Sequence, residues 1–405
     1  MLPEKLCNEL CSLRPNEDKL CMSVIVEMDP NAKVLRHKLC RTVICSDYRL
    51  TYQQAQDILD QHTHNALQVQ QKGLSDAIAA LHDLALQLRS NRFKHGAINF
   101  ETPEVRFRLD EHLEPVDIYF HKSLETNHLI EEFMLLANRI VAAEIGSKKK
   151  GKTDDESTMP ARPFVYRVHD VPDPDKLSKL SVFIRQFGFH LHTSSKRSVQ
   201  NKQINSLLDS CQGTTSQNLI ETLAIRSMAK AVYSTSNIGH YGLAFPFYTH
   251  FTSPIRRYPD MMVHRLLARY LLQSKADCRY DKDTLEDACV HCSEREQLAQ
   301  MAERDSVKQM QAKWMSKHIG EEFDGVINGV TEFGLFVQLT DTLTEGLVPI
   351  RTIQPHDYMQ YDEENFCLIA ARSGKTYTLS DAVRVRVTKA DVEKKQIDFV
   401  LIEEE

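Results

Sequence analysis

The stretch GVINGVTEFGLFVQL, residues 325–339, decides how the C-terminal part of this chain folds. Gly325, Gly329 and Gly334 punctuate it, at places where a backbone turns or lets another strand come close. Phe323–Ile327 and Phe333–Leu339 read as the first two of a set of short strands. Glu345–Pro349, with Gly346 inside it, Ala382–Thr388 and Gln396–Ile402 complete the set. Five strands in about 85 residues, with a long excursion between the third and fourth, fit an OB-type Greek-key barrel. The barrel unit is expected to open near Ile319 and to occupy residues 319–405.

Upstream of it, residues 283–318 contain neither Gly nor Pro and carry both signs of charge, the pattern of a solvent-laced connecting helix. Residues 1–282 mix element types, so the fold class is α+β. Cys21–Met28 and Val34–Ser46 are β-rich runs separated by the turn-forming Asp29-Pro30-Asn31. Residues 51–91 repeat Ala, Leu and Gln at helical spacing, and short strands are expected at Gly96–Phe100, Val105–Leu109 and Val116–Phe120. Leu124–Ile145 is a long helix, apolar on most faces and therefore buried. Residues 147–163 (SKKKGKTDDESTMPARP) read as a mobile polar loop, and helical patterns follow near 174–187, 201–210, 216–233 and 254–273.

The 405 residues include 50 Lys+Arg and 56 Asp+Glu, a net charge of −6, so a basic carpet for nucleic acid is excluded for the chain as a whole. A local basic groove is not excluded, since net charge does not say where charges sit. There is no apolar run of about 18 residues or more. The opening MLPEKLCNELCSL lacks the regions of a secretory leader. With ten Cys and no dense framework, the expectation is reduced thiols, a cytoplasmic location and no membrane partner.

The densest chemical signal is YTHFTSPIRRYPDMMVHRLLARYLL, residues 248–272. Thr252 or Ser253 can cap a helix whose first turn holds Pro254, where a missing N–H costs least. Such an N-terminus presents free N–H groups to an anion. Arg256 in that first turn runs against the helix dipole and calls for a partner, either an external phosphate or Asp260 at i+4. Spacing alone leaves both open.

At this point GHYGLAFPFYTHFTSPIRRYPDMMVHRLL (239–267) resembles the signature of the ribonuclease II / ribonuclease R family of 3′→5′ exoribonucleases. LPEKLCNELCSLRPNEDKL (2–20), RLTYQQAQ (49–56), GAINFETPEVRF (96–107), LIEEFMLLAN (129–138), PFVYRVHDVPDPDKL (163–177) and MAERD (301–305) resemble further family motifs in the same order. The 325–339 stretch is similar to an S1-type RNA-binding module. The resemblance spans essentially the whole chain, and the ribonuclease R branch fits best. It implies part of an RNB catalytic domain over 1–282, the connecting helix over 283–318 and an S1-type OB barrel over 319–405. It also implies processive hydrolysis of single-stranded RNA, threaded by its 3′ end, to 5′-nucleotides.

Residue by residue, Arg256 matches the family arginine that holds the phosphate at the cleavage site, a role suited to a planar donor fork. Tyr52 resembles a channel-lining tyrosine, with a half-buried packing role as the alternative. Phe100 resembles the phenylalanine that clamps the terminal base, where stacking is worth ~1–3 kcal/mol; the alternative is a core side chain. Glu131 and Glu132 stand in an apolar helix, where unpaired carboxylates are costly, and Asn138 shares the face of Glu131. The family role puts Glu131 at the RNA sugar, where a 2′-hydroxyl is told from hydrogen. The alternative is an ion pair with Arg139 or another helix. Glu303 matches a family residue near the active site, against a solvated helix face. In the barrel, Phe323, Phe333 and Phe336 have the spacing of a stacking platform, with Arg351 and Lys389 following the phosphates. At least one of these rings is expected in the barrel core, with Phe333 and Phe336 partly exposed.

The family cuts RNA with Mg²⁺ held by clustered aspartates. The resemblance places that cluster upstream of LPEKL, so no metal ligands are expected in this chain. Asp154-Asp155-Glu156, Asp362-Glu363-Glu364 and Glu403–Glu405 do not match the family spacing. The expectation is a truncated, monomeric form that binds single-stranded RNA weakly and does not cut it. The competing reading is a non-catalytic RNA-binding or scaffold protein. Zinc at Cys289 and Cys292, with His291 and Cys278 nearby, lacks a second CxxC pair. A nucleophilic hydrolase on His250 and Ser253 lacks the Gly-x-Ser-x-Gly elbow.

Overall fold

The computed structural model describes residues 2–63, 72–98, 104–121, 123–146, 162–191, 197–214, 216–272, 281–353, 357–362 and 367–402. Asp18–Met28 (β1) and Val34–Cys45 (β2) form an antiparallel hairpin. Its turn is an Asx device, with the Asp29 carboxylate accepting the N–H groups of Asn31 and Lys33 at 2.9 Å each. Met22, Val24 and Leu39 share one face of the hairpin and pack on the core below it.

The helical pattern of 51–91 resolves into Tyr52–Thr63 (α1) and Lys72–Lys94 (α2). Gly96, at φ +95°, donates its N–H to the Phe93 carbonyl at 2.8 Å and closes α2 as a left-handed cap. That corrects the strand expected at 96–100 over its described part: residues 96–98 are the turn and exit that follow α2, and Phe100 lies outside the described residues. Glu104–Leu109 (β3) and Pro115–His121 (β4) make a second hairpin. Glu125–Gly146 (α3) packs against α1 and α2 and buries Leu129, Leu135, Leu136, Ile140, Val141 and Ala142.

The loop read at 147–163 lies outside the described residues up to 161. Tyr166–Val168 (β5) is followed by Pro174–Ile184 (α4), Arg197–Cys211 (α5) and Gln217–Ser227 (α6). The Asp173 carboxylate caps α4 by accepting the N–H groups of Asp175 and Lys176, with Pro174 in the first turn. The helical pattern of 216–233 ends early, because Val232–Ser234 (β6) pairs with β5 and the Tyr233 N–H is drawn to Ser293 Oγ at 2.9 Å. Tyr258–Leu272 (α7) and the long helix Lys282–Met315 (α8) lead into the barrel. Among the described residues no helix is long and apolar enough to cross a membrane.

The barrel forms as the glycines suggest. Glu322–Thr331 (β7), Gly334–Leu339 (β8) and Glu345–Pro349 (β9) are its first three strands. The excursion folds into a small sheet of Met359–Asp362 (β10), Cys367–Ala370 (β11) and Thr376–Thr378 (β12), which the sequence analysis does not anticipate. Ala382–Asp391 (β13) and Gln396–Leu401 (β14) close the barrel in the order β13-β14-β9-β8-β7. Its core is Ile327, Leu335, Val337, Val348, Val385, Val387 and Phe399. The aromatic filling the core is therefore Phe399 rather than Phe323, Phe333 or Phe336. Gly346 makes room for it, since a Cβ there would lie 2.4 Å from the Phe399 ring.

Candidate nucleic-acid interface

Helix α3 carries one half of the site. Glu132 is buried, and Arg92 from α2 reaches its Oε1 with Nε at 3.1 Å and Nη2 at 2.5 Å. The same Nη2 lies 3.4 Å from Glu131 Oε1, while His128 Nδ1 is 3.5 Å from Glu131 Oε2. Glu131 keeps about half of its side chain in solvent (49%). The buried ion pair therefore belongs to Glu132, and its cation comes from another helix. Arg139 instead lies over the Phe245 ring at 5.3 Å, and burial lowers its pKa. Arg92 escapes the sequence analysis although a signal exists. It continues the seven-residue spacing of the buried Ile78 and Ala85, which puts it on the apolar face of α2.

Tyr52 opens α1 with its side chain exposed, and its carbonyl accepts a hydrogen bond from Thr126 Oγ1 at 3.0 Å. It thus stands beside the first turn of α3, the helix that presents Glu131. Further along α3, the buried Asn138 takes the Phe251 N–H at 2.9 Å on Oδ1 and donates from Nδ2 to Tyr248 Oη at 3.3 Å. These bonds fasten the 248–251 segment to α3.

The chain then makes a turn whose Arg256 and Arg257 N–H groups both point at the Ser253 carbonyl, at 3.3 and 3.0 Å. Helix α7 begins only at Tyr258, which corrects the expected start at Thr252 or Ser253. Pro259 takes the early helical position, and the Ser253 N–H is held instead by Asp260 Oδ1 at 2.7 Å. The carboxylate of Asp260 is fully buried and pairs with Arg257 Nη2 at 3.0 Å. Asp260 is therefore not the partner of Arg256. The Arg256 side chain is exposed and, among the described residues, makes no hydrogen bond or ion pair.

Behind the turn, burial together with the nearby Arg257 and Arg167 pushes the pKa of His250 down to about 2. Its Nδ1 lies 2.8 Å from Tyr233 Oη. His250 Nδ1 is thus occupied by a tyrosine, and among the described residues no bond joins His250 to Ser253. Glu303 is exposed on α8, and no described bond brings it to Arg256 or Glu131. In the barrel, Phe333 is 53% exposed and meets the half-buried Phe336 edge-on, with ring centroids 6.1 Å apart. Arg351 and Lys389 are exposed. Phe323 is half-buried near Trp314 and His318, whose rings stack at 3.8 Å where α8 meets the barrel.

Cys289 and Cys292 face the apolar core from α8, and burial pushes the Cys289 thiol up to about 12. His291 lies on the exposed side of the helix, so these ligand types diverge; Cys278 is outside the described residues. Among the described residues no three of Asp, Glu, His and Cys converge as a metal site. The two carboxylates buried beside the site, Glu132 and Asp260, already face arginines. The described residues thus do not fit Mg²⁺, which needs several free oxygen ligands. Residues 154–156, 363–364 and 403–405 lie outside the described set.

A free arginine on a fastened turn and a half-exposed glutamate on the supporting helix thus stand in an α+β unit that runs into an OB barrel carrying an aromatic pair. Residues 1–273 match the RNB domain and residues 316–401 the S1 RNA binding domain. The chain belongs to the RNB family. It is 37% identical over 403 residues to Ribonuclease R of Aquifex aeolicus, covering 100% of this chain and 55% of that protein. It is 33% identical to Ribonuclease R of Escherichia coli over 415 residues, 100% of this chain and 49% of that one. The chain thus spans about half the length of the curated relatives it matches. RNase R of Mycoplasma genitalium, in its apo form, superposes with a TM-score of 0.86 at 27% identity, over 99% of this chain and 60% of that one. That protein has also been solved in complex with ribose-methylated single-stranded RNA.

Proposed function

We propose that this chain is the RNA-gripping part of a 3′→5′ exoribonuclease of the ribonuclease R type, one that shortens single-stranded RNA processively to 5′-nucleotides. The observation that carries the proposal is Arg256, exposed and unpaired on a turn fastened to the helix that also presents Glu131. A free guanidinium held in place suits a phosphodiester, which it meets with two parallel N–H donors. Glu131 accepts from a ribose 2′-hydroxyl, and Tyr52 of α1 lines the path beside the first turn of α3. Phe333 and Phe336 offer ring faces to bases further from the 3′ end, a contact that tolerates any sequence. Phe100 and Glu303 are assigned to the strand by family resemblance alone, Phe100 to the terminal base. The ribonuclease R relatives, and the RNA-bound structure of one of them, support this reading.

Cleavage in this family calls on Mg²⁺ to activate water and steady the departing oxygen. With no carboxylate cluster among the described residues, this chain is expected to hold RNA without shortening it. Incubation of the purified chain with Mg²⁺ and a 3′-tailed single-stranded RNA, resolved by gel, tests this. An intact, retained RNA is expected. Stepwise shortening that disappears in Arg256→Ala would overturn the non-cutting part and leave the Arg256 assignment standing.

A further inference from the structure

We infer that Asp260 is a positioning residue for Arg256, setting where the phosphate-holding guanidinium sits; the inference rests on the reading of Arg256 given above. Asp260 never meets the solvent in which Arg256 stands, and it touches the residues on either side instead. Its Oδ1 accepts both the Ser253 N–H at 2.7 Å and the Arg257 Nη2 donor at 3.0 Å. The Ser253 carbonyl in turn accepts the N–H groups of Arg256 and Arg257. Arg256 is thereby bracketed by a closed set of bonds while its own side chain makes none.

The turn is also held from two other elements. Asn138 of α3 fixes the Phe251 N–H, and the Leu2 N–H donates to the Ile255 carbonyl at 3.1 Å. A buried carboxylate that shares a single oxygen between its partners is a weak stabilising device, because its second oxygen, Oδ2, has no hydrogen-bond partner among the described residues. What the arrangement does achieve is a division of labour between adjacent arginines. Arg257 is neutralised and locked inward, leaving Arg256 as the cation of the pair open to a ligand. Holding a binding group in place before the ligand arrives lowers the ordering cost of binding.

The test is the affinity of the purified chain for a 3′-tailed single-stranded RNA across a salt series, for wild type, Asp260→Asn, Arg256→Ala and the double variant. Asp260→Asn keeps an oxygen for Ser253 but loses the charge that holds Arg257. It is expected to weaken binding by about tenfold, the scale of one charge-assisted hydrogen bond. The slope of log affinity against log salt should fall by about 0.7, the value for one phosphate contact on a single strand. Arg256→Ala should show the same fall, and the double variant should bind no more weakly than Arg256→Ala alone. A role confined to stability would lower the melting temperature without that coupling. If Asp260→Asn does not fold, Arg257→Gln loosens the same clamp and carries the same expectation. Wild-type binding by the clamp variant, or losses that add in the double variant, overturn the inference while Arg256 keeps its assignment. Wild-type binding by Arg256→Ala overturns that assignment and the inference with it.

Discussion

Arg256 and Arg257 are neighbours in the sequence, yet one is tied to a buried carboxylate and the other stands free in solvent. Asp260 lies within side-chain range of both by helical spacing, at i+4 of the first and i+3 of the second, so the sequence permits either pairing. The choice is made by the turn at 253–257, which brings the Arg257 rather than the Arg256 guanidinium to the Asp260 carboxylate. A similar ambiguity surrounds Glu131 and Glu132, which are equivalent as sequence. Only the docking of α2 delivers Arg92 to the buried one. His250 gives a residue-scale prediction. Burial holds its folded pKa near about 2 against an ordinary value of 6.5, so below pH 6.5 the unfolded chain takes up a proton that the folded chain refuses. The stability due to neutral His250 is complete above pH 6.5 and is lost as pH falls through the window down to about 2. The slope approaches ~1.4 kcal/mol per pH unit for one group. In urea unfolding at about pH 7 and about pH 5, wild type should lose more stability than His250→Gln. Equal losses in the two proteins would contradict the burial argument.

At the scale of elements, the barrel was the most legible part of the chain. Glycines mark the turns and close approaches of the first three strands, Val383, Val385 and Val387 alternate in the fourth, and all five observed strands coincide with the expected ones within a few residues. The small sheet of β10–β12 was hidden, since its strands are too short for alternation to register. The start of α7 and the end of α2 were misread for a shared reason. Each is decided by a backbone bond to a distant or positive-φ residue, as when Asp260 captures the Ser253 N–H or Gly96 caps its helix. Gly334 supplies the prediction here. It sits at φ +148°, and a Cβ there would lie 2.1 Å from the Val348 carbonyl oxygen across the β8–β9 pair. Gly334→Ala must therefore push β8 and β9 apart and strain its backbone, a loss of about 2 kcal/mol or more. Trp314, the single tryptophan of the chain, reports on the barrel through its packing near Phe323. Its fluorescence during urea unfolding should show an earlier transition in the variant, and an unchanged midpoint would refute the close-approach argument.

Over the whole molecule, α4, α5 and α6 share one apolar core with the barrel, joined through Ala312 and Met315 of α8. The barrel is thus not a bead on a helical string. Its place relative to α4, α5 and α6 is fixed by packing. Periodicity could mark the units and the helix between them, but not that shared core, which arises from faces meeting across more than 100 residues of sequence, such as Leu177 and Ile327. The overall charge of −6 was equally uninformative about RNA, because grip here is assigned to one free arginine and a few rings rather than to bulk charge. The most direct test of that account is an equilibrium titration of the purified chain with a fluorescent 3′-tailed single-stranded RNA, at about 50 mM and about 200 mM salt. The account predicts saturable binding that weakens at least several-fold at the higher salt and is reduced by both Arg256→Ala and Phe333→Ala. Absence of binding at the lower salt, or binding indifferent to both substitutions, would contradict it.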